Sequence, residues 1–139
     1  MSKNIGKIAQ VIGPVVDIKF DSSVADLPNI YDALEITKKN GSKVILECQQ
    51  HIGEDTVRSI SMDSTDGLSR GMEVVASGSP ILMPVGEEIK GRLFNVTGQA
   101  IDGLPKVDTG NSYPIHREPP KFDQLSTSKE ILLKAEIKL

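Results

Sequence analysis

The sequence contains no tryptophan, three phenylalanines and two tyrosines. An interior has to be filled by Val, Ile and Leu rather than by rings. There is one cysteine, Cys48, which excludes an internal disulfide and fits a reducing compartment. The two histidines, His51 and His116, lie far apart with no companion cysteines, so a zinc-type ligand set is not expected. No apolar run reaches the roughly 18 residues of a membrane-spanning helix. The first ten residues, MSKNIGKIAQ, lack the apolar stretch of a secretory signal. The expectation is a cytoplasmic protein with no direct membrane insertion. Long runs of like charge are also missing and the net charge is −3, which argues against a basic nucleic-acid-binding face. What remains is 139 residues, 38% hydrophobic and 25% charged. That is a soluble globular balance, long enough for one domain or a small domain and part of another.

The N-terminal part reads as short strands divided by turn formers. Residues 6–12 (GKIAQVI) form an apolar, β-branched run that Gly13-Pro14 interrupts. In residues 15–20 (VVDIKF), Val16, Ile18 and Phe20 fall on one face and Asp17 and Lys19 on the other, the pattern of a half-buried strand. Residues 30–37 alternate less regularly, with Ile30, Asp32, Leu34 and Ile36 on one face. Lys39-Asn40-Gly41 is a hairpin turn, because Asn-Gly accepts positive φ. Residues 43–50 return with Val44, Leu46 and Cys48 together. His51 to Asp55 turns again, and residues 56–62 supply Val57, Ile60 and Met62. Asp63 to Gly71 is a loop, and residues 72–76 give a last short strand. Six strands at a spacing of about 8–12 residues predict a closed small barrel or sandwich.

The character changes at Ser77-Gly78-Ser79-Pro80. The expected organisation is a β-barrel over residues 1–79 and a second region over residues 80–139. Residues 81–85 (ILMPV) can form a strand that Pro84 confines to an edge. Residues 102–120 are rich in Gly, Pro and polar side chains and read as an extended surface loop. Residues 126–139 rise into an apolar stretch containing Leu132 and Leu133, expected to be poorly ordered because no body covers it.

Few residues invite a chemical assignment. Gly86 to Leu93 imitates the spacing of a phosphate-binding loop, Gly-x4-Gly-Lys-[Ser/Thr]. Arg92 stands in the lysine position, Leu93 cannot hold magnesium, and Glu87 and Glu88 would repel phosphate. The segment is read as a turn. Asp63, Asp66 and Glu73 form a solvated loop face without calcium-loop spacing. Cys48, on a strand among apolar neighbours, is read as a buried, inert thiol, and His116 as hydrogen-bonding within its loop. Arg58, Arg70, Arg92 and Arg117 are isolated cations, suited either to solvent or to pairing with a neighbouring subunit. No catalytic, cofactor-binding or metal residue is assigned.

Four stretches, in order and covering nearly the whole chain, are similar to one family. They are GKIAQVIGPVVDIKF (6–20), CQQHIGEDTVRSISMDSTDGLSRGMEV (48–74), PILMPVGEEIKGRLFNVTGQAID (80–102) and YPIHREPPKF (113–122). The sequence resembles the N-terminal portion of the catalytic β subunit of F-type rotary ATP synthases. The Val-Arg-x-Ile and Asp-Gly-Leu-x-Arg-Gly elements favour that subunit over the non-catalytic α subunit and over the related vacuolar-type, export and helicase branches.

The resemblance implies a mainly β fold: a six-stranded N-terminal β-barrel followed by an incomplete start of an α/β nucleotide-binding domain. It implies α and β subunits of the catalytic hexamer as partners, with self-association of the fragment as a further option. It places the parent complex peripherally on the inner face of an energy-coupling membrane. The parent couples ATP synthesis and hydrolysis, on Mg-ATP/ADP, to proton transport. Its phosphate loop, catalytic glutamate and magnesium ligand would all follow Leu139, so this chain is expected to be inactive alone and to hold no cofactor. The sequence departs from the family after Glu130-Ile131-Leu132, where Lys134 to Leu139 replaces a Thr-Gly-Ile-Lys pattern. The alternative reading is a free-standing small barrel that binds protein or oligonucleotide, which five aromatics and an acidic balance disfavour.

Overall fold

Alternation of β-branched residues with turn formers resolves, in a computed structural model, into strands that close on themselves. Residues 4–21, 23, 26–107, 110–125 and 128 are described; the expectations for residues 126–139 otherwise lie outside them. The chain divides into two units, Met1–Ile81 and Leu82–Leu139. In the first, β1 (Ile5–Ile12), β2 (Val15–Lys19), β3 (Asp32–Thr37), β4 (Lys43–Gly53), β5 (Thr56–Ser61) and β6 (Glu73–Pro80) form a closed barrel in the order β1-β2-β5-β4-β3-β6. Every pairing is antiparallel, and β6 closes the circle by pairing with both β3 and β1. Closure leaves no unpaired edge.

The predicted inward faces of β2 and β4 fill the barrel. Val16, Ile18 and Phe20 are buried, as are Val44, Leu46 and Cys48. Leu34 and Ile36 of β3 join them, with Ile8, Val57 and Val74 from the remaining strands. One glycine makes this packing possible. A Cβ on Gly6 would lie 2.8 Å from Ile18 Cγ2 and 2.9 Å from Phe20 Cδ1, so the phenylalanine occupies the space a side chain would need.

Several expectations are corrected. Ile30 and Tyr31 precede β3 instead of belonging to it. They sit in a turn in which Asp32 N–H donates to Asn29 O at 3.1 Å and Asp32 Oδ2 accepts from Asn29 N–H at 2.9 Å. Tyr31 takes a left-handed φ of 73°, and Ile30 is exposed. Strand β4 runs on through His51 and Ile52, carried by bulges between Cys48 and Gln50 and between His51 and Gly53. In β5, which was expected to supply Val57 and Ile60, strand parity places buried Ser59 beside Val57 and turns Ile60 outward. Ser59 is satisfied there, its hydroxyl donating to Val16 O at 2.7 Å. Strand β6 continues through Ser77 to Pro80, where a break was expected.

The second unit is built differently. β7 (Leu82–Pro84) pairs with β8 (Ser112–Pro114), which lies inside the stretch expected to be an extended loop. Two single-turn 3-10 helices span Glu87–Ile89 and Phe122–Gln124. A hairpin bridged by Phe94 and Ala100 packs its turn glycine, Gly98, so close to β7 that a Cβ would lie 2.8 Å from Leu82 O.

Candidate interaction surface of the barrel

Cross-strand register sorts the outer wall of the barrel into rows, because directly paired residues point to the same side. Across β1, β2 and β5 one row is Ile12, Val15 and Ile60. Its two isoleucines are 55% and 39% exposed, so aliphatic surface faces outward here. The adjacent row is Gln10, Asp17, Arg58 and Gln50. Arg58 Nε donates to Asp17 Oδ1 at 2.8 Å and Nη2 to Oδ2 at 2.9 Å, a fork-to-fork pair. That bonding holds the Asp17 carboxyl below its ordinary range, against an opposing push from burial. Bulges flank the row on both sides, between Ile8 and Gln10 in β1 and between Cys48 and Gln50 in β4. Bulges re-aim side chains, and they add local twist to the wall here. A third row sets Lys7 directly opposite Lys19. A hollow of about 400 Å³ opens beside these lysines, lined also by Ile5, Phe20, Asp21 and Asp55.

The residues singled out from the sequence are dispersed. Cys48 is fully buried; burial raises its thiol pKa, and the nearby Asp32 and Glu47 carboxylates add to the rise, which disfavours the reactive thiolate. His51 Nε2 lies 2.7 Å from Pro28 O. Asp63, Asp66 and Glu73 are exposed, and Asp63 Oδ1 accepts from Ser64 N–H at 2.7 Å. Among the described residues no three His, Cys, Asp or Glu side chains converge as metal ligands do. No helix among them is long and apolar enough to cross a membrane.

The arginines are the clearest correction. Arg58 is paired as described, and Arg117 lies over the Tyr113 ring at 4.4 Å. Arg92 Nη2 donates to Asp102 Oδ1 at 3.0 Å and to Pro105 O at 2.8 Å, while Nε donates to Asp102 Oδ2. Asp102 also accepts from the Leu93 and Leu104 N–H groups. These bonds, the guanidinium first, hold the Asp102 carboxyl far below its ordinary range. Arg70 is exposed. Antiparallel register predicts the Asp17–Arg58 pair once turn lengths are known. Arg92–Asp102 follows from a hairpin that residues 92–102 do not announce by alternation.

The geometry of Gly86 to Leu93 gives each polar group another role. Glu87–Ile89 is one 3-10 turn, Lys90 Nζ pairs with Glu87 at 2.5 Å, Arg92 is committed to Asp102, and Leu93 is exposed.

Closure, strand order and the all-antiparallel pairing define the first unit as a small six-stranded β-barrel domain. Residues 8–78, just over half of the chain, match the beta-barrel domain of the ATP synthase alpha/beta family. The chain belongs to that family.

Proposed function

We propose that this chain is the N-terminal portion of the catalytic β subunit of an F-type ATP synthase, and that its barrel serves as an assembly module. In this reading residues 80–139 begin the nucleotide-binding domain, and the phosphate-binding loop is supplied by sequence beyond this chain. The barrel docks against barrels of α and β subunits in a complex held peripherally at the membrane. The observation that carries the proposal is the agreement of the closed six-stranded barrel with the family match over residues 8–78. The Val57-Arg58-x-Ile60 and Asp66-Gly67-Leu68-x-Arg70-Gly71 elements supply the preference for β. The outer wall supports an assembly role, because aliphatic rows beside an oriented arginine suit protein contacts.

Two measurements test this. Calorimetric titration of the 139-residue chain with Mg-ATP is expected to give no binding heat, and tight binding overturns the site reading. Co-elution with a purified α-subunit barrel is expected at tens of micromolar; separate elution at that concentration removes the assembly reading.

A further inference from the structure

Among the described residues, two asparagines sit in the same kind of hydrogen-bonded turn and differ in the residue that follows them. Asn40 Oδ1 accepts from Ser42 N–H at 3.0 Å and from the Ser42 hydroxyl at 2.7 Å. Asn95 Oδ1 accepts from Thr97 N–H at 3.1 Å and from the Thr97 hydroxyl at 2.8 Å. Both are turns closed by the asparagine side chain itself. The next residue is Gly41 in the first and Val96 in the second.

Such a turn brings an electrophile and a nucleophile together. The ring closed by the Ser42 N–H bond contains both Asn40 Cγ and Gly41 N, which keeps the amide carbon close to the backbone nitrogen. The two hydrogen bonds to Oδ1 draw electron density from Cγ. Lys38, Lys39 and Lys43 flank the site in sequence, and their field favours the negative charge that develops on the nitrogen and the oxygen. Gly41 has no Cβ to obstruct the approach, whereas Val96 is β-branched. Gly41 N–H donates to Lys38 O at 2.9 Å, and this bond has to open before the nitrogen reacts. Asn40 and Gly41 are exposed at a hairpin tip, where such an opening costs little.

We propose that Asn40 is a site of self-modification, converting through a cyclic imide to aspartate and isoaspartate. Gly41 N bonds to Asn40 Cγ, the Cγ–Nδ2 bond breaks, and ammonia leaves with the proton that Gly41 N gives up. Water then adds to the imide. Cleavage of the N–Cγ bond restores the main chain with an aspartate side chain. Cleavage of the bond from N to the Asn40 carbonyl carbon leaves the main chain running through the side chain, as isoaspartate. Either product carries a new carboxylate whose proton passes to solvent. The two products differ in fit. Aspartate keeps an acceptor for Ser42 and adds a charge that the flanking lysines favour. Isoaspartate adds a carbon to the main chain of a turn closed by Lys38 N–H donating to Ser42 O at 2.8 Å, so it loosens the tip of the β3–β4 hairpin.

The experiment incubates the full chain in mildly alkaline buffer, digests it in acid, and follows each asparagine peptide by mass spectrometry. The signal is the mass gain of an NH2-to-OH exchange; isomerisation at Asp66-Gly67 leaves mass unchanged and is not counted. The Asn40 peptide is expected to convert at least about tenfold faster than the Asn95 peptide and to split into aspartate and isoaspartate forms. Gly41→Ala and Asn40→Gln are each expected to lose this conversion, the second by requiring a larger ring while Gly41 stays in place. Val96→Gly is expected to make Asn95 convert. Asn40→Asp is expected to melt at or above the wild-type midpoint, and the converted chain below Asn40→Asp in proportion to its isoaspartate content. If Asn40 keeps its amide in the folded chain while converting in the same chain unfolded by guanidinium chloride, the turn protects the residue and the proposal is overturned. Equal conversion of Asn40 and Asn95 overturns the part assigned to Gly41.

Discussion

Asp17 and Arg58 are separated by 41 positions in sequence yet form the one ion pair that spans β2 and β5. Arg58 lowers the Asp17 pKa on folding, so the pair stabilises the barrel at a pH above the unfolded aspartate value of about 3.9. That contribution is lost as the pH falls through the lower folded value. The arginine side chain is 42% exposed, so solvent screens the pair and its worth at neutral pH is about 0.5–1 kcal/mol. Asp17→Asn is therefore expected to lower the denaturation free energy by that amount at pH 7 and to converge with the wild type in strong acid. Urea melts across pH check it, and a pH-independent difference rejects it. Charged residues as such were legible in the sequence, but their partners were not. Arg58 and Arg92 each find a carboxylate only through register or through a hairpin, which composition does not encode.

At the scale of elements, the two hairpins flanking β4 solve the same problem with different residues. Between β3 and β4 the turn contains Asn40 and Gly41, and Gly41 takes a φ of 83° at no steric cost. Between β4 and β5 a two-residue turn is made by Glu54 and Asp55, with φ of 51° and 59°. Left-handed backbone costs a residue with a Cβ about 1–2 kcal/mol. Replacing the pair with Asn and Gly (Glu54→Asn with Asp55→Gly) is expected to raise stability by about 1 kcal/mol, after the added freedom of the unfolded glycine is subtracted. Thermal melts of the double variant check this, and an unchanged or lower midpoint refutes it. The same contrast explains which elements were readable. The Asn-Gly hairpin and the alternation in β2 and β4 follow from side-chain chemistry alone. The extension of β4 through His51 to Gly53 depends on bulges that break alternation. The extension of β6 through Ser77 to Pro80 depends on ladder partners, since its own residues are poor strand formers. Tyr31 is held left-handed by its surroundings, its N–H donating to Cys48 O at 2.7 Å.

At the scale of the whole molecule, the two units differ in how they are stabilised. The barrel buries a contiguous aliphatic core. Among the described residues from Leu82 onward none is fully buried, and Leu93, Ile101, Leu104 and Phe122 are exposed. Hydrophobic burial supplies most of folding free energy, so local opening should be far easier in the second unit. Native-state hydrogen exchange is expected to give barrel amides in β1 to β5 a common high protection. Amides of β7 and β8 should exchange at least about a hundredfold faster, corresponding to roughly 3 kcal/mol less opening free energy. Equal protection in both units would contradict this. Strand number and spacing left a closed barrel and a sandwich both open, and the family resemblance singled out the barrel that the strand order shows. The lack of fully buried side chains among the described residues of the second unit was foreshadowed only by the turn-rich composition of that region.

The strand that completes the barrel is the last of the six to be synthesised. Because β6 hydrogen-bonds to β3 on one flank and to β1 on the other, a chain that ends before Glu73 would carry two open ladders at once. Such a chain is a template for stacking on its neighbours instead of a smaller version of the domain. A nascent polypeptide therefore keeps two strand edges unpaired until Pro80 has left the ribosome, and pairing between neighbouring chains competes with closure for that long.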